Sequence, residues 1–544
     1  MSLHFGIGLE WRLLILIRRT SGDWFEILSL TTPISQSLES SPSLGFSYFQ
    51  AIFDDPSSLD QPSFTIPIDC PQWPPVTGTE IDNLISQLCS GKAPGQDLLP
   101  AELYQSFPLW WRPILAALFT KINETGYIPH SWKMSIVVPI FKKRDPTKPS
   151  NFRPISLLDV VAKLYGRFLL NKLLDWDKEQ AIISDAQAGF REGASTLHQL
   201  FILHHLITHV HMNPQCSLYL AFIDFSAAFD SINRRLLWSK LEKAGINKRL
   251  LWLLQSLHQD TVLRIRLGHN GLLSQKNLMR RGVKQGCILA PFLFNFFIND
   301  IVPAMSSPSF FPPSIKDRKV PVLLYADDLL LLSQNRLGFK RMLSQFQTYC
   351  ATQCLHINYS KTKIMICGKY SKVKSIWHLN GHTIEQVHTF KYLGIYINNK
   401  LSWAQQLAHI KLVALKALGL LKKFFYSKGG QLMRPMSKLY ISKILPKIMY
   451  GCEIWGPSLR SALEPIQNTF FKQILGLPKG TPAAHMRIEL KSPSLMARAD
   501  LAFLRLWKKF SEANPSSLAK LCWEVQLEKG GWAKNFMPWA FSIF

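Results

Sequence analysis

The chain has 544 residues, 47% hydrophobic and 18% charged, which excludes a disordered protein and allows several domains with sizeable cores. Its net charge of +27 and pI near 9.7 call for a polyanionic partner, nucleic acid before a membrane surface. No long apolar run is present, and Trp11 to Ile17 is short and broken by Arg12, so no membrane-inserted segment is expected.

The charge is uneven. Residues 1–88 hold three Arg, no Lys and ten acidic residues, so this part is −7 and residues 89–544 carry +34. Polyanion binding is therefore expected from about residue 89 onward. Nine scattered Cys without recurring pairs read as an intracellular, reduced protein, in nucleus, cytoplasm or both. Cys350, Cys354 and His356 have half the spacing of a zinc site and lack the second half.

In chain order, residues 1–75 are acidic and rich in Pro and Ser, and read as a linker or remnant without fixed order. A helix is expected from Thr79 to Leu88, closed by the turn Gly91 to Asp97, and another over 101–124. Ser135 to Phe141 reads as a strand and Val160 to Leu174 as a helix. Gln187 to Arg191 forms a loop before a helix from Thr196 to Val210. Ser217 to Ile223 is a buried strand ending at Asp224, followed by a helix from Ile232 to Lys243. Val262 to Leu267 and Leu273 to Met279 read as paired strands, Gly282 to Gly286 as a turn, and Ile288 to Val302 as an apolar helix. A helix (Leu337 to Cys354), a strand (Lys363 to Cys367) and a hairpin (Phe390 to Ile397) come next. From Trp403 to Leu477 the pattern is helical and basic, a separate helical unit; 478–544 is helical in patches.

The stretch Tyr325-Ala326-Asp327-Asp328 lies between the apolar runs Val322–Leu324 and Leu329–Leu332, the pattern of a buried hairpin with carboxylates at its tip. An ordinary exposed turn has the same pattern. Two adjacent buried Asp are costly unless a cation balances them. Asp224 ends an apolar strand, so its carboxylate projects from the strand's end; the alternative is an N-cap of a turn. Carboxylates on neighbouring strand ends meet the need of two-metal phosphoryl chemistry, and Mg²⁺ takes such hard oxygen donors.

Eight stretches occur in an order that resembles the reverse transcriptases of non-LTR, LINE-like retrotransposons. Asp224-Phe225-Ser226-Ala227-Ala228-Phe229-Asp230, the run Arg281 to Asn295, and Tyr325 to Asp328 resemble that family's A, B and C motifs. Ala93 to Asp97, Asn151 to Leu157, Gln187 to Arg191, Asn358 to Thr362 and Phe390 to Gly394 resemble its flanking motifs. The likeness spans roughly 76–480. Lys284 and Cys287 replace the Pro and Ser of the commoner B motif, and Ala228 stands where many members have Lys.

The resemblance implies an α/β right-hand polymerase with an α+β palm: fingers and palm over 76–400, a basic helical thumb over 401–480 and a C-terminal helical tail over 481–544. It implies RNA-directed DNA synthesis from an RNA template and a DNA primer, with dNTPs and two Mg²⁺ ions, Mn²⁺ being the alternative. Asp224, Asp327 and Asp328 would be the catalytic, metal-holding carboxylates, the third tuning more than ligating. Phe229 would be the steric gate against a ribose 2′-hydroxyl, its alternative a core Phe. Gln285 would help grip template and nucleotide; Lys142, Lys143 and Arg153 are candidates for triphosphate; Lys361 is the candidate proton donor to pyrophosphate. In the thumb, Lys411, Lys416, Lys422, Lys423, Lys428, Arg434, Lys438, Lys443 and Lys447 with Phe424, Phe425, Tyr426 and Tyr440 read as a nucleic-acid surface or as an ordinary amphipathic helix pair. No endonuclease pattern is evident in 1–75, so the chain reads as the polymerase part of an element. The rival readings are a decayed copy that only binds RNA, and an RNA-dependent RNA polymerase, against which Phe229 argues.

Overall fold

The structure is a computed structural model and describes residues 42–54, 71–142, 145–267, 271–426 and 437–528. The chain divides into two units that alternate along the sequence: 1–182, 227–298 and 353–356 in the first; 183–226, 299–352 and 357–544 in the second.

In the first unit, the strand Met134–Phe141 pairs antiparallel with Phe152–Leu157, which places Arg153 opposite Ile140. It also pairs parallel with Val262–Leu267, which in turn pairs with Leu272–Leu273 and Asn277–Leu278. The second expected strand of that pair is thus two short pieces. Ser274 is the cause: its hydroxyl donates to the Gln275 carbonyl at 2.7 Å and accepts from the Ile265 N–H at 2.9 Å, a local bond that replaces the ladder. The expected helix over 101–124 is also two, Ala101–Ser106 and Trp111–Thr125, because Pro108 disfavours helical backbone at Phe107. A helix at Lys248–His258 goes beyond the sequence reading; the Asn247 side chain caps it by accepting from Arg249 and Leu250 N–H. Part of the expected linker is structured: Pro42–Phe53 is a helix whose Phe49 and Phe53, one turn apart, are 0% and 1% exposed against Val137, Leu263 and Ile265. Arg234, fully buried, donates to the carbonyls of Gly282, His258 and Met279 and to the Thr261 hydroxyl, tying the Arg234–Lys243 helix to the loops around it.

The second unit holds a six-stranded sheet. Its order is Trp377–Leu379, His382–Gln386, Lys363–Gly368, Ser217–Ile223, Asp328–Ser333, Val322–Tyr325. Every residue of Ser217–Ile223 is buried, since both faces of this central strand are covered. Leu218, Leu220, Phe222, Leu330 and Leu332 face a core shared with the Thr196–Met212 helix and the C-terminal helices. On the opposite face Tyr219 meets Phe339 of the Arg336–Thr352 helix.

The helices Ala404–Tyr426, Cys452–Leu475 and Leu495–Ser511 close that same core, through Ile410, Phe470 and Phe510 among others. The expected separate helical unit and tail therefore pack as part of the second unit. Tyr440 is 1% exposed and packs on Phe470 and Phe471, which makes it a core ring and not a surface for bases. Lys428 and Arg434 lie outside the described residues. Among the described residues no helix is long and apolar enough to cross a membrane.

Candidate active site

The second unit gathers Asp224, Asp327, Asp328 and Lys361. The antiparallel register sets Leu329 opposite Ile223, so the next pair outward is Asp328 and Asp224 on neighbouring strand ends. Asp328 opposes Tyr325 across a two-residue turn, with Ala326 at φ 55°. A non-glycine residue in that region is strained and needs support.

Gln187 supplies it. Its side-chain oxygen accepts from the N–H of Ala326 at 2.9 Å and of Gly189 at 2.7 Å, and its amide donates back to the Ala326 carbonyl at 3.3 Å. The adjoining backbone adds two bonds, Ala188 N–H to the Leu324 carbonyl at 2.9 Å and Leu324 N–H to the Ala186 carbonyl at 2.8 Å. Gln199 donates to both the Ala186 and Leu324 carbonyls. Gly189 is required by space: a Cβ there would stand 2.9 Å from Ala326 Cα and closer still to its nitrogen.

Asp224 is held at its backbone. Its N–H donates to the Thr362 hydroxyl at 3.4 Å, and its carbonyl accepts from the Asn358 N–H at 2.7 Å. The Lys361 ammonium lies 3.0 Å from Asp224 Oδ2. Asn358, Lys361 and Thr362 thus act on one residue, two through its main chain and one through its carboxylate. Below the strand, Phe222 stacks on Phe390 with centroids 4.3 Å apart, and Gly394 passes close to the Tyr450 ring.

Asp328 is reached by solvent but crowded by protein. Removal of water by its surroundings, then the charges of Asp327 and Asp224, push its carboxyl up to about 7, with Lys361 opposing. A carboxyl raised by two neighbouring acids is one whose charge a divalent cation would relieve. All their donors are hard oxygens, the kind Mg²⁺ takes. Among the described residues no three or more His, Cys, Asp or Glu side chains are placed to hold a metal ion as they stand. An ion here would draw on one or two of these carboxylates and leave positions for substrate oxygens, as Mg²⁺ does.

The first unit holds the other candidates. The boundary between units falls after Ser226, inside the motif that starts at Asp224. Phe229 is half-buried and stacks on Phe294 at 4.6 Å. The Gln285 side-chain amide donates to Asp230 Oδ2 at 2.5 Å, and the Gln285 main-chain carbonyl accepts from the Ser156 N–H at 2.6 Å. Gly286 runs so close to the Ser156 carbonyl that a side chain would not fit. Asp230 is 1% exposed; burial pushes its carboxyl up to about 8, opposed by Gln285, Lys142 and Arg281. Asp230 ends the motif that starts at Asp224, and the local pattern assigns it no role. Its signal is an acid directly after the aromatic of an otherwise apolar turn.

Lys142 and Arg153 are exposed and lie diagonally on one face of their hairpin, since Arg153 opposes Ile140 and the Lys142 N–H donates to the Asn151 carbonyl. Lys143 lies outside the described residues. The motif at Ala93–Asp97 wraps the buried Asp159: Gln96 and Asp97 N–H donate to its Oδ1 at 2.9 and 3.3 Å.

Residues 141–397 match the family described as Reverse transcriptase (RNA-dependent DNA polymerase). The chain is 28% identical over 417 residues to a probable RNA-directed DNA polymerase from transposon BS of Drosophila melanogaster, covering 74% of this chain and 45% of that protein. It is 25% identical over 457 residues to the RNA-directed DNA polymerase from mobile element jockey of the same organism, covering 82% and 49%. The chain thus spans about half the length of the curated relatives it matches. A telomerase from Candida tropicalis in complex with a fragment of telomeric RNA is a looser likeness, with 12% identity and TM-score 0.37 over 76% of this chain and 67% of that one.

Proposed function

We propose that this chain, which carries a reverse transcriptase domain of the LINE-like type over residues 141–397, is an RNA-directed DNA polymerase that extends a DNA primer on an RNA template with dNTPs. The observation that carries the reading is the convergence of Asp224, Asp327 and Asp328 on neighbouring strand ends inside that domain. Asp224 and Asp327, with Asp328 tuning them, would hold Mg²⁺, or Mn²⁺ in its place. When bound, the ion supplies charge stabilisation for phosphoryl transfer.

The chain's own residues do the rest. Gln187 and Gly189 hold the turn that carries Asp327, and Asn358 and Thr362 hold the backbone of Asp224. Such fixed placement is the main contribution a polymerase makes when the nucleotide's α-phosphate is attacked by the primer 3′-hydroxyl and pyrophosphate leaves. The Lys361 Nζ lies 3.0 Å from Asp224 Oδ2 and is our candidate to donate a proton to the departing pyrophosphate. Phe229, backed by Phe294, would exclude a ribose 2′-hydroxyl. Gln285, oriented by Asp230, would contact template and nucleotide, and Lys142 and Arg153 would meet the triphosphate.

Primer extension on an RNA template tests the reading. Wild-type chain should extend with dNTPs in Mg²⁺, with Asp327→Ala and Asp224→Ala reduced to background. Absence of extension by wild type, with RNA still bound by both forms, would favour a chain that only binds RNA. Use of rNTPs as readily as dNTPs would favour an RNA polymerase.

A further inference from the structure

The opposite end of the Asp224 strand carries a second feature. In the second unit a cleft of about 600 Å³ opens between the start of the Arg336–Thr352 helix and the 366–375 segment. Tyr219 forms its floor, wedged against Phe339 and Trp377 at centroid distances of 5.7 and 6.0 Å. Tyr370 and Val373 form one wall, 46% and 45% exposed. Arg336 and Lys340 form the other; the Arg336 guanidinium sits 5.9 Å from the Trp377 ring centroid. The Lys369 ammonium lies 5.7 Å from the Tyr370 ring.

The charge is one-sided. Segments 334–341 and 366–376 contain Arg336, Lys340, Arg341, Lys369, Lys372 and Lys374, all exposed, and no Asp or Glu. A solvated lysine face requires neither a concavity nor aromatic walls, and this site has both. The pull on an anion comes from side chains, because the helix start is already capped: Asn335 Oδ1 accepts from Leu337 and Gly338 N–H at 2.8 and 3.2 Å. Cations that meet phosphate beside an exposed aromatic ring are the elements of single-strand nucleic-acid binding. The volume falls within the ~300–1,000 Å³ of small-ligand pockets. Tyr219 precedes Asp224 by five residues, about 17 Å along an extended strand, so the cleft is separate from the carboxylates.

We propose that this cleft seats one or two nucleotides of a single-stranded nucleic acid, with phosphate between Arg336 and Lys340 and a base on Tyr370. The inference concerns binding and does not depend on the polymerase reading.

The test uses the full chain, first saturated with a short primer–template hybrid. Fluorescent ten-nucleotide single strands of RNA and of DNA are then titrated over a range of salt. Arg336→Ala/Lys340→Ala should bind about tenfold more weakly and lower the salt slope by about 1.4, two phosphates at ~0.7 each. Tyr370→Ala should also weaken binding, by about fivefold or more. A 4-thiouridine strand should crosslink at Tyr370. The charge-conserving Arg336→Lys/Lys340→Arg should retain affinity, which separates binding from folding. Tighter RNA binding would identify the template or transcript as the source, and tighter DNA binding a target or displaced strand. Unchanged affinity and slope in the double alanine variant would overturn the proposal, as would equal binding of a polyglutamate of matched charge.

Discussion

Gly189→Ala is the sharpest probe of how the carboxylates are positioned. The added Cβ would meet Ala326 Cα at 2.9 Å and its nitrogen closer still, where carbon contacts normally settle at ~3.5–4.0 Å. The obstacle is backbone on a strained turn, not the end of a flexible side chain. The turn or the Gln187–Gly189 segment must therefore move on the order of 1 Å, and Asp327 follows Ala326 directly. Displacements of that size cost about 10²-fold in rate. Overpacking of this kind costs about 1–3 kcal/mol, a few degrees in Tm for a unit of this size. Single-turnover extension on an RNA template, with thermal denaturation alongside, measures both. Gly193→Ala is the matched control. It has φ +73° and nothing within 4 Å of its Cβ, so it should lose about 1 kcal/mol and keep its rate. A wild-type rate for Gly189→Ala, or an equal loss in Gly193→Ala, would refute the reasoning.

Three further outcomes are expected. Phe229→Ala should raise rNTP incorporation relative to dNTP by at least tenfold; an unchanged ratio would make Phe229 only a packing partner of Phe294. Lys361→Ala should slow extension by about 10²-fold or more. It should also lower the Mg²⁺ concentration needed, since the ammonium beside Asp224 is gone; an unchanged rate would exclude the proton-donor role. Asp230 binds its proton more tightly folded, with a pKa of about 8, than unfolded, near 3.8. Between those values the native state holds the extra proton, so Asp230 makes stability fall as pH rises from about 4 to 8. Asp230→Asn should flatten that part of the stability curve measured by denaturant titration; a curve identical to wild type would show that Asp230 does not titrate there.

Order, chemistry and strand ends were legible in the sequence, because they rest on local rules. An apolar run ending at Asp224, a second broken by Asp327-Asp328, and their order among eight matching stretches single out these carboxylates, and the sheet sets Asp224 and Asp328 on neighbouring strand ends. What the local pattern misjudged were places where a side chain overrides propensity. Ser274 interrupts a strand through its hydroxyl, Pro108 divides a helix, and Phe49 and Phe53 draw a Pro/Ser-rich stretch into a core.

Only the tertiary structure decided why the flanking stretches matter. Gln187 reaches Ala326, which is 139 residues away, and Asp224 meets Thr362 at a separation of 138. Neither spacing has a period that a sequence can display, because such contacts are set by the order of strands in a sheet. The same holds for Tyr440, aromatic and surrounded by Lys in sequence but buried in space, and for the Tyr219 cleft, whose walls lie on segments more than a hundred residues from its floor. Sequence determines which groups are available; the register of the Ser217–Ile223 strand with its neighbours determines which of them meet.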